Sequence, residues 1–121
     1  MANTFKVVTF AAEPASAGTP YKMYTVAGST TTVILGLILT NIHSAAVTVE
    51  VELVSDTGSR GGANNVTNGT SFLVKDVTIP AGSSLELLSG GKVVLETTDE
   101  IKRDCSVTDK VSGTLSIMEI T

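Results

Sequence analysis

The chain has 121 residues, of which 42% are hydrophobic and only 17% are charged. This size and composition fit one folded domain and exclude a mainly disordered chain. Val, Ile and Thr account for 40 of the residues, and because their side chains branch at Cβ they favour strands over helices. The net charge of −4 and the scattered Lys and Arg residues argue against a nucleic-acid partner, since phosphate binding needs clustered positive charge.

Short β-rich segments separated by turn residues run along the whole sequence. We predict nine strands, at residues 4–10, 21–26, 31–40, 46–54, 71–79, 84–88, 92–96, 99–107 and 111–120. Gly90 and Gly91 are typical of a tight hairpin between the sixth and seventh strands. The pattern predicts an all-β, single-domain antiparallel β-sandwich over residues 1–121, either a jelly roll or an immunoglobulin-like fold.

The fourth predicted strand has the clearest pattern. Its apolar residues alternate strictly with polar ones, which predicts one buried and one solvated face. The residues predicted to face the core are Val47, Val49, Val51 and Leu53, and those predicted to face outward are Thr48, Glu50 and Glu52.

The third predicted strand is apolar on both faces. Val33, Leu35, Leu37 and Leu39 alternate along one face, and Ile34 and Ile38 lie on the other. A strand of this kind must be covered on both sides. We therefore expect Ile34 and Ile38 either to contact a second subunit or to be covered by a segment of the same chain, such as the N-terminal strand.

The eighth predicted strand contains a charge on its apolar side. Ile101, Cys105 and Val107 are expected to point inward, whereas Glu100, Lys102, Asp104 and Ser106 point outward. Arg103 falls on the inward side, where an unpaired guanidinium is costly. We expect either that a bulge turns Arg103 outward or that it lies at a rim beside a carboxylate. Arg103 therefore joins Ile34 and Ile38 as a candidate residue of an oligomer interface.

A long loop at residues 55–70 contains four glycines and three asparagines. Loops of this length inside a compact domain are usually functional or mobile, and this one has too few aliphatic residues to order itself by packing. We expect it to be an assembly or attachment element; the alternative is a surface insertion without a role. The candidate residues in it are Asp56, Arg60, Asn64, Asn65 and Asn68.

Residues for catalysis or metal binding are sparse. His43 and Cys105 are the single residues of their types, so a tetrahedral zinc site is excluded and a Ser-His-acid triad has no supporting context. The 55–70 loop offers one carboxylate, which is too few for a typical calcium site. We expect Cys105 to be a small core residue, and we expect no enzyme activity, cofactor or metal. No apolar run reaches the length of a membrane-spanning helix, and the N-terminus does not resemble a secretory signal, so we expect no membrane partner.

Four segments carry a resemblance to a known group of proteins. They are residues 1–6, 24–33, 115–121 and 79–102, the last of which begins Ile-Pro-Ala-Gly and contains Leu-Ser-Gly-Gly-Lys. Together they resemble small virion structural proteins of tailed bacteriophages, with cyanophage-like proteins as the nearest group. The 55–70 loop looks like an enlarged insertion in that pattern.

The resemblance implies a non-enzymatic subunit that is assembled in the host cytoplasm and located in the virion. Its partners would be copies of itself, as a homo-oligomer, and other virion proteins. It would lie in the tail or head–tail neck, or decorate the capsid. The alternative function is a host-surface, glycan-binding module at a tail or fibre tip that uses the 55–70 loop.

Overall fold

The computed structural model describes residues 2–13, 18–55, 69–88 and 91–121. Within these ranges the regular secondary structure consists of strands alone, which confirms the all-β prediction. The strands are β1 (Asn3–Glu13), β2 (Tyr21–Thr25), β3 (Thr31–Asn41), β4 (Val47–Ser55), β5 (Gly69–Ile79), β6 (Ser84–Leu87), β7 (Val93–Leu95), β8 (Glu100–Cys105) and β9 (Val111–Ile120). The ninth strand has the predicted bounds, and the other eight differ from the predictions by one to three residues at one or both ends.

The strands form two antiparallel sheets. Sheet A has the order β1-β9-β3-β6, with β7 also paired to β3, and sheet B has the order β2-β8-β4-β5. The chain crosses between the sheets at every connection except those from β4 to β5 and from β6 to β7. This arrangement is a jelly roll, so the structure selects the first of the two sandwich folds that the sequence allows.

The predicted hairpin at Gly90 and Gly91 is wrong. β6 pairs with residues Leu37 to Thr40 of β3, and β7 pairs with residues Thr32 to Ile34. Both strands are antiparallel to β3 and therefore follow one another along the same edge of sheet A. The chain therefore does not reverse its direction between β6 and β7.

The core lies between the two sheets and is almost entirely aliphatic. Sheet A contributes Ile34, Leu37, Leu39, Leu115 and Ile117, and sheet B contributes Val47, Val49, Val51, Ile79 and Ile101. The alternation predicted for β4 is confirmed, since Val47, Val49 and Val51 are buried and Leu53 packs against the core from its margin. The turn that ends β5 also matches its sequence: Gly82 has a φ of 70°, and the Ser83 N–H donates to the Pro80 carbonyl at 3.1 Å.

One irregularity in β3 changes which residues face the core. The register between β3 and β9 shifts between Ile34 and Gly36, so an extra residue, Leu35, separates two inward-facing positions. Ile34 is fully buried in the core of its own chain. The prediction that Ile34 lies on the outer face is therefore wrong, and it is not available to an oligomer interface.

Ile38, by contrast, lies on the outer face as predicted and is 43% exposed. The proposed intramolecular cover by the N-terminal strand is wrong, because β1 pairs with β9 inside the same sheet.

On β8, Asp104 lies on the predicted outer side but is buried. Its Oδ1 accepts hydrogen bonds from the N–H of Gly18 at 3.1 Å and of Cys105 at 2.8 Å.

Candidate functional site

The outer face of sheet A carries a row of apolar side chains across four strands. Phe5 of β1 is opposite Met118 of β9, Met118 is opposite Val33 of β3, and Val33 is opposite Val94 of β7. Strands in a sheet are about 4.8 Å apart, so the row extends over roughly 14 Å. These four residues form a continuous apolar strip, which we call the outer row.

Two further residues extend this apolar surface on one side of the outer row. Val7 lies two positions after Phe5 on β1, and Ile38 lies on β3 beyond Gly36. Phe5, Val7, Val94 and Ile38 are 71, 63, 58 and 43% exposed. In the described strands, with β1 taken from Asn3 to Phe10, Glu86 is the one charged residue that the register places on this face.

The exposed side chains on this face have a thermodynamic consequence. Burying a Val, Ile or Phe side chain that water now contacts contributes about 1.5–3 kcal/mol. Contiguous exposed apolar surface of this kind is typical of interaction sites. The geometry is therefore suited to binding another flat, apolar protein surface.

A polar cluster holds β1 against the rest of the sandwich at its inner side. The Lys6 Nζ is 2.7 Å from Glu119 Oε1, and the Tyr24 hydroxyl donates a hydrogen bond to Glu119 Oε2. The same hydroxyl lies 2.9 Å from the Thr32 Oγ1. Because Tyr24 belongs to sheet B and the other three residues belong to sheet A, the cluster joins the two sheets.

The cluster changes the pKa values of two of its members. Burial, reinforced by the Glu119 carboxylate, raises the pKa of Tyr24 to about 12. Hydrogen bonds from Lys6 and then from Tyr24 lower the pKa of Glu119. Both shifts favour the hydrogen bond from the Tyr24 hydroxyl to the Glu119 carboxylate, an arrangement that supports structure.

Arg103 is enclosed within its own chain. Its guanidinium carbon is 3.8 Å from the centre of the Phe10 ring and 4.7 Å from that of Tyr21, and its Nη1 donates to the Tyr21 carbonyl at 3.0 Å. The Phe10 ring in turn lies over Gly113, where an added Cβ would be 2.3 Å from the ring. Arg103 is 2% exposed, so its assignment to an oligomer interface is wrong: aromatic rings of the same chain stack on the guanidinium.

The remaining sequence candidates have structural roles or lie outside the described residues. The backbone N–H of His43 donates to Asn41 Oδ1 at 2.8 Å inside a turn. Cys105 is buried, as predicted, and burial raises the pKa of its thiol. The candidate loop residues Asp56, Arg60, Asn64, Asn65 and Asn68 all lie outside the described residues.

The described part of the chain lacks two kinds of functional feature. Its His, Cys, Asp and Glu residues form no group of three or more that could hold a metal ion. The described residues also contain no helix with the length and apolar character that crossing a bilayer requires.

Sequence reasoning identified Ile38 on this face but missed the outer row. The missing signal is the alternation in β9, where Leu115 and Ile117 face the core and Met118 must therefore face outward. The cross-strand order that brings Phe5, Val33 and Val94 beside Met118 depends on pairing between distant segments. Sequence spacing does not supply that pairing.

Comparisons with known proteins reveal similarity only at the level of the fold. No protein-family model matches the chain, and no curated protein matches it. A chain of the T13 infectious bursal disease virus particle is 9% identical, with a TM-score of 0.55 over 97% of this chain and 30% of that one. A chain of the Gx strain of infectious bursal disease virus is 12% identical, with a TM-score of 0.53 over 96% of this chain and 32% of that one.

A third solved structure, of Bacillus endospore appendages described as disulfide-linked pili, is 13% identical. Its TM-score is 0.46, over 99% of this chain and 87% of that chain. The present chain thus spans less than a third of the length of the two viral chains. It shares with them the fold of that part, a two-sheet antiparallel β-sandwich.

Proposed function

We propose that this protein is a non-enzymatic structural subunit of a tailed-bacteriophage virion. It assembles with copies of itself and with other virion proteins through the outer face of sheet A. The outer row, Phe5–Met118–Val33–Val94, is the observation that carries this proposal, because a subunit of a particle buries such a surface against its neighbours. Its position is in the tail or the head–tail neck, with decoration of the capsid as the other arrangement.

Two further observations support the proposal. The jelly-roll fold is shared with part of two chains from virus particles, and four segments of the sequence resemble small virion proteins of tailed phages. Two residues with reactive side chains also serve structure: Cys105 is buried in the core and Glu119 is held by Lys6 and Tyr24.

The test is incorporation into particles. The unaltered chain and an Ile38→Lys variant are expressed in host cells during infection, and gradient-purified particles are analysed by mass spectrometry. Lys at position 38 is opposite Glu86, so a cross-strand ion pair preserves the fold while the apolar face gains a charge. Thr78→Lys, at an exposed position of sheet B, is the matched control.

We expect the unaltered chain and Thr78→Lys in the particles, and Ile38→Lys depleted from them. Absence of the unaltered chain from purified particles would show that the protein is not a virion component. Equal incorporation of Ile38→Lys would show that another surface makes the contact.

A further inference from the structure

The sandwich has four sheet edges, and three of them carry features that prevent pairing with another strand. β2 has five residues and a register shift, and β6 and β7 are short segments of one broken edge. On β5, Asp76 adopts a positive φ of 52° beside the exposed Lys75, and the register with β4 shifts twice. Short strands, lysines and bulges of this kind block edge-to-edge association.

The fourth edge, β1, is long and regular. From Asn3 to Phe10 its register with β9 has no shift. Ala2 and Thr121 exchange two backbone hydrogen bonds, with N···O distances of 3.1 and 3.0 Å. Since bonded pairs alternate along an antiparallel ladder, the even-numbered residues of β1 bond to β9. The backbone N–H and C=O groups of Asn3, Phe5, Val7 and Thr9 therefore point away from the sheet.

The side chains along β1 also leave this edge open to pairing with another strand. Phe5 and Val7, the two most exposed large apolar residues in the described chain, lie at positions whose backbone groups are free. Lys6 is the one charged residue between Asn3 and Phe10, and its ammonium group is bound to Glu119 on the inner side of the sheet. Lys6 is therefore paired within its own subunit, on the face opposite the one that carries Phe5 and Val7.

We propose that β1 pairs antiparallel with β1 of a second copy of this chain, about a two-fold axis at Val7. The two A sheets then become one continuous sheet, and the apolar outer faces of the two copies become neighbours. This inference rests on the proposed function, since it gives a second contact between the same subunits. A second copy is the matching occupant because a two-fold axis presents each edge with an identical regular edge.

The register follows from the charges. The registers that use most of the regular ladder are centred on Lys6 or on Val7. Centring on Lys6 would place the two lysines directly opposite each other, which is unfavourable. Centring on Val7 places Val7 opposite its own copy and Phe5 opposite Thr9 of the second copy. The register centred on Val7 forms about six ladder hydrogen bonds between the two copies, two for each bonded pair.

The experiment is disulfide trapping with two single-site variants, Val7→Cys and Phe5→Cys. In the proposed dimer the two Val7 Cα atoms are about 5.5 Å apart, within the range that a disulfide can bridge. The two Phe5 Cα atoms are displaced by four residues along the strands, roughly 13 Å. We expect Val7→Cys to form a covalent dimer under mild oxidation and Phe5→Cys to remain at least tenfold less linked. The parent chain, whose Cys105 is buried, is the control.

Equal or stronger linking of Phe5→Cys, or no linking of Val7→Cys, would overturn the proposal. The linking measurement is repeated in chains that also carry Ile38→Lys. This repeat distinguishes failure of the edge pairing from failure of the proposed function. Ile38→Lys removes contacts through the outer face and leaves the β1 edge intact, so Val7→Cys should still be linked as a dimer. If the particles contain the chain and Val7→Cys is not linked, the edge contact alone is wrong.

A second variant tests the hydrogen bonds themselves. Val7→Pro removes a free backbone N–H without removing a bond to β9, and Val7→Thr keeps that N–H while reducing the apolar surface. In the Ile38→Lys background, we expect Val7→Pro to raise the dimer dissociation constant at least tenfold more than Val7→Thr does. Equal effects of the two changes would contradict pairing through the backbone.

Discussion

The two outer faces of the sandwich are both built from antiparallel strands but differ in chemistry. On sheet B, Lys75 Nζ is 3.0 Å from Glu50, and Lys22 and Lys102 are 3.8 and 3.7 Å from the Glu100 carboxylate. On sheet A the outer row is apolar, and Glu86 is the one charged residue that the register places on the outer face of the described strands. Water solvates the first face favourably and the second unfavourably.

The aromatic residues show the same difference. On sheet B, the Lys75 ammonium lies 4.6 Å from the centre of the Phe72 ring and partly covers it. On sheet A, Phe5 is 71% exposed and adjoins other apolar residues of the outer row. This difference is the basis for proposing that sheet A is the contact side of the subunit and sheet B its solvent side.

The largest effect is expected from neighbouring residues on opposite sides of β3. Leu37→Ala creates a cavity in the core and should reduce the free energy of unfolding by about 2–5 kcal/mol. Ile38→Ala should change it by only about 0.5 kcal/mol at concentrations where the chain is monomeric, because this side chain is already partly in water. Urea unfolding measures both changes. Equal losses would mean that β3 is covered on both sides within one chain.

The next effect distinguishes two neighbouring cations on β8. Arg103 is stacked on two rings inside the sandwich, whereas Lys102 lies on the outer face of sheet B. Arg103→Lys should cost about 2 kcal/mol, because an ammonium group cannot reproduce planar stacking. Lys102→Ala should cost less than about 0.5 kcal/mol. If thermal unfolding shows similar losses for the two variants, the aromatic stack does not stabilise the fold.

A comparison of β4 with β3 shows how far the sequence determines the structure. The strict alternation in β4 predicts its buried face correctly, because a half-buried strand has a period of two. The apolar run in β3 contains no such signal, so the shift at Leu35 that turns Ile34 inward could not be predicted. In the same way, local glycines suggested a hairpin, whereas the pairing of β6 and β7 is set by the distant strand β3.

The candidate site likewise contains one feature that the sequence predicts and one that it does not. Ile38 could be predicted to face outward, since it is an apolar residue on the second face of an apolar strand. The stack of Arg103 between Phe10 and Tyr21 could not, because it joins residues from three separate strands. Sequence therefore identified an unusual charge at Arg103, and only the fold shows how that charge is accommodated.

A smaller effect is expected for the polar cluster between the sheets. Tyr24→Phe removes hydrogen bonds to Glu119 and Thr32 and should cost about 1 kcal/mol at pH 8. The phenol has a pKa of about 12 in the folded protein and about 10 when unfolded. Its ionisation therefore favours the unfolded chain as pH rises from 10 to 12, and the parent loses roughly 1–2 kcal/mol there after allowance for solvent screening. Denaturant titrations at pH 8 and pH 11 should show a smaller loss for Tyr24→Phe; an identical loss would exclude Tyr24 as its source.

The smallest effect is expected on the outer face of sheet B. Glu50→Gln breaks the ion pair with Lys75 and should change the free energy of unfolding by less than about 0.5 kcal/mol, because the Lys75 side chain is exposed to water. The same variant should associate as the parent does. A larger loss, or a change in assembly size, would indicate that sheet B is also a contact surface.

The most direct test of the central claim is the molar mass of the parent, Ile38→Lys and Thr78→Lys in solution, measured by light scattering over a concentration series. The parent and Thr78→Lys should form assemblies larger than twice 12.5 kDa. Ile38→Lys, with its outer face charged, should stop at the dimer that the β1 edges form. A parent that remains at 12.5 kDa at the highest concentration, or an Ile38→Lys variant that assembles as the parent does, would contradict the assignment of the outer face of sheet A as the contact surface.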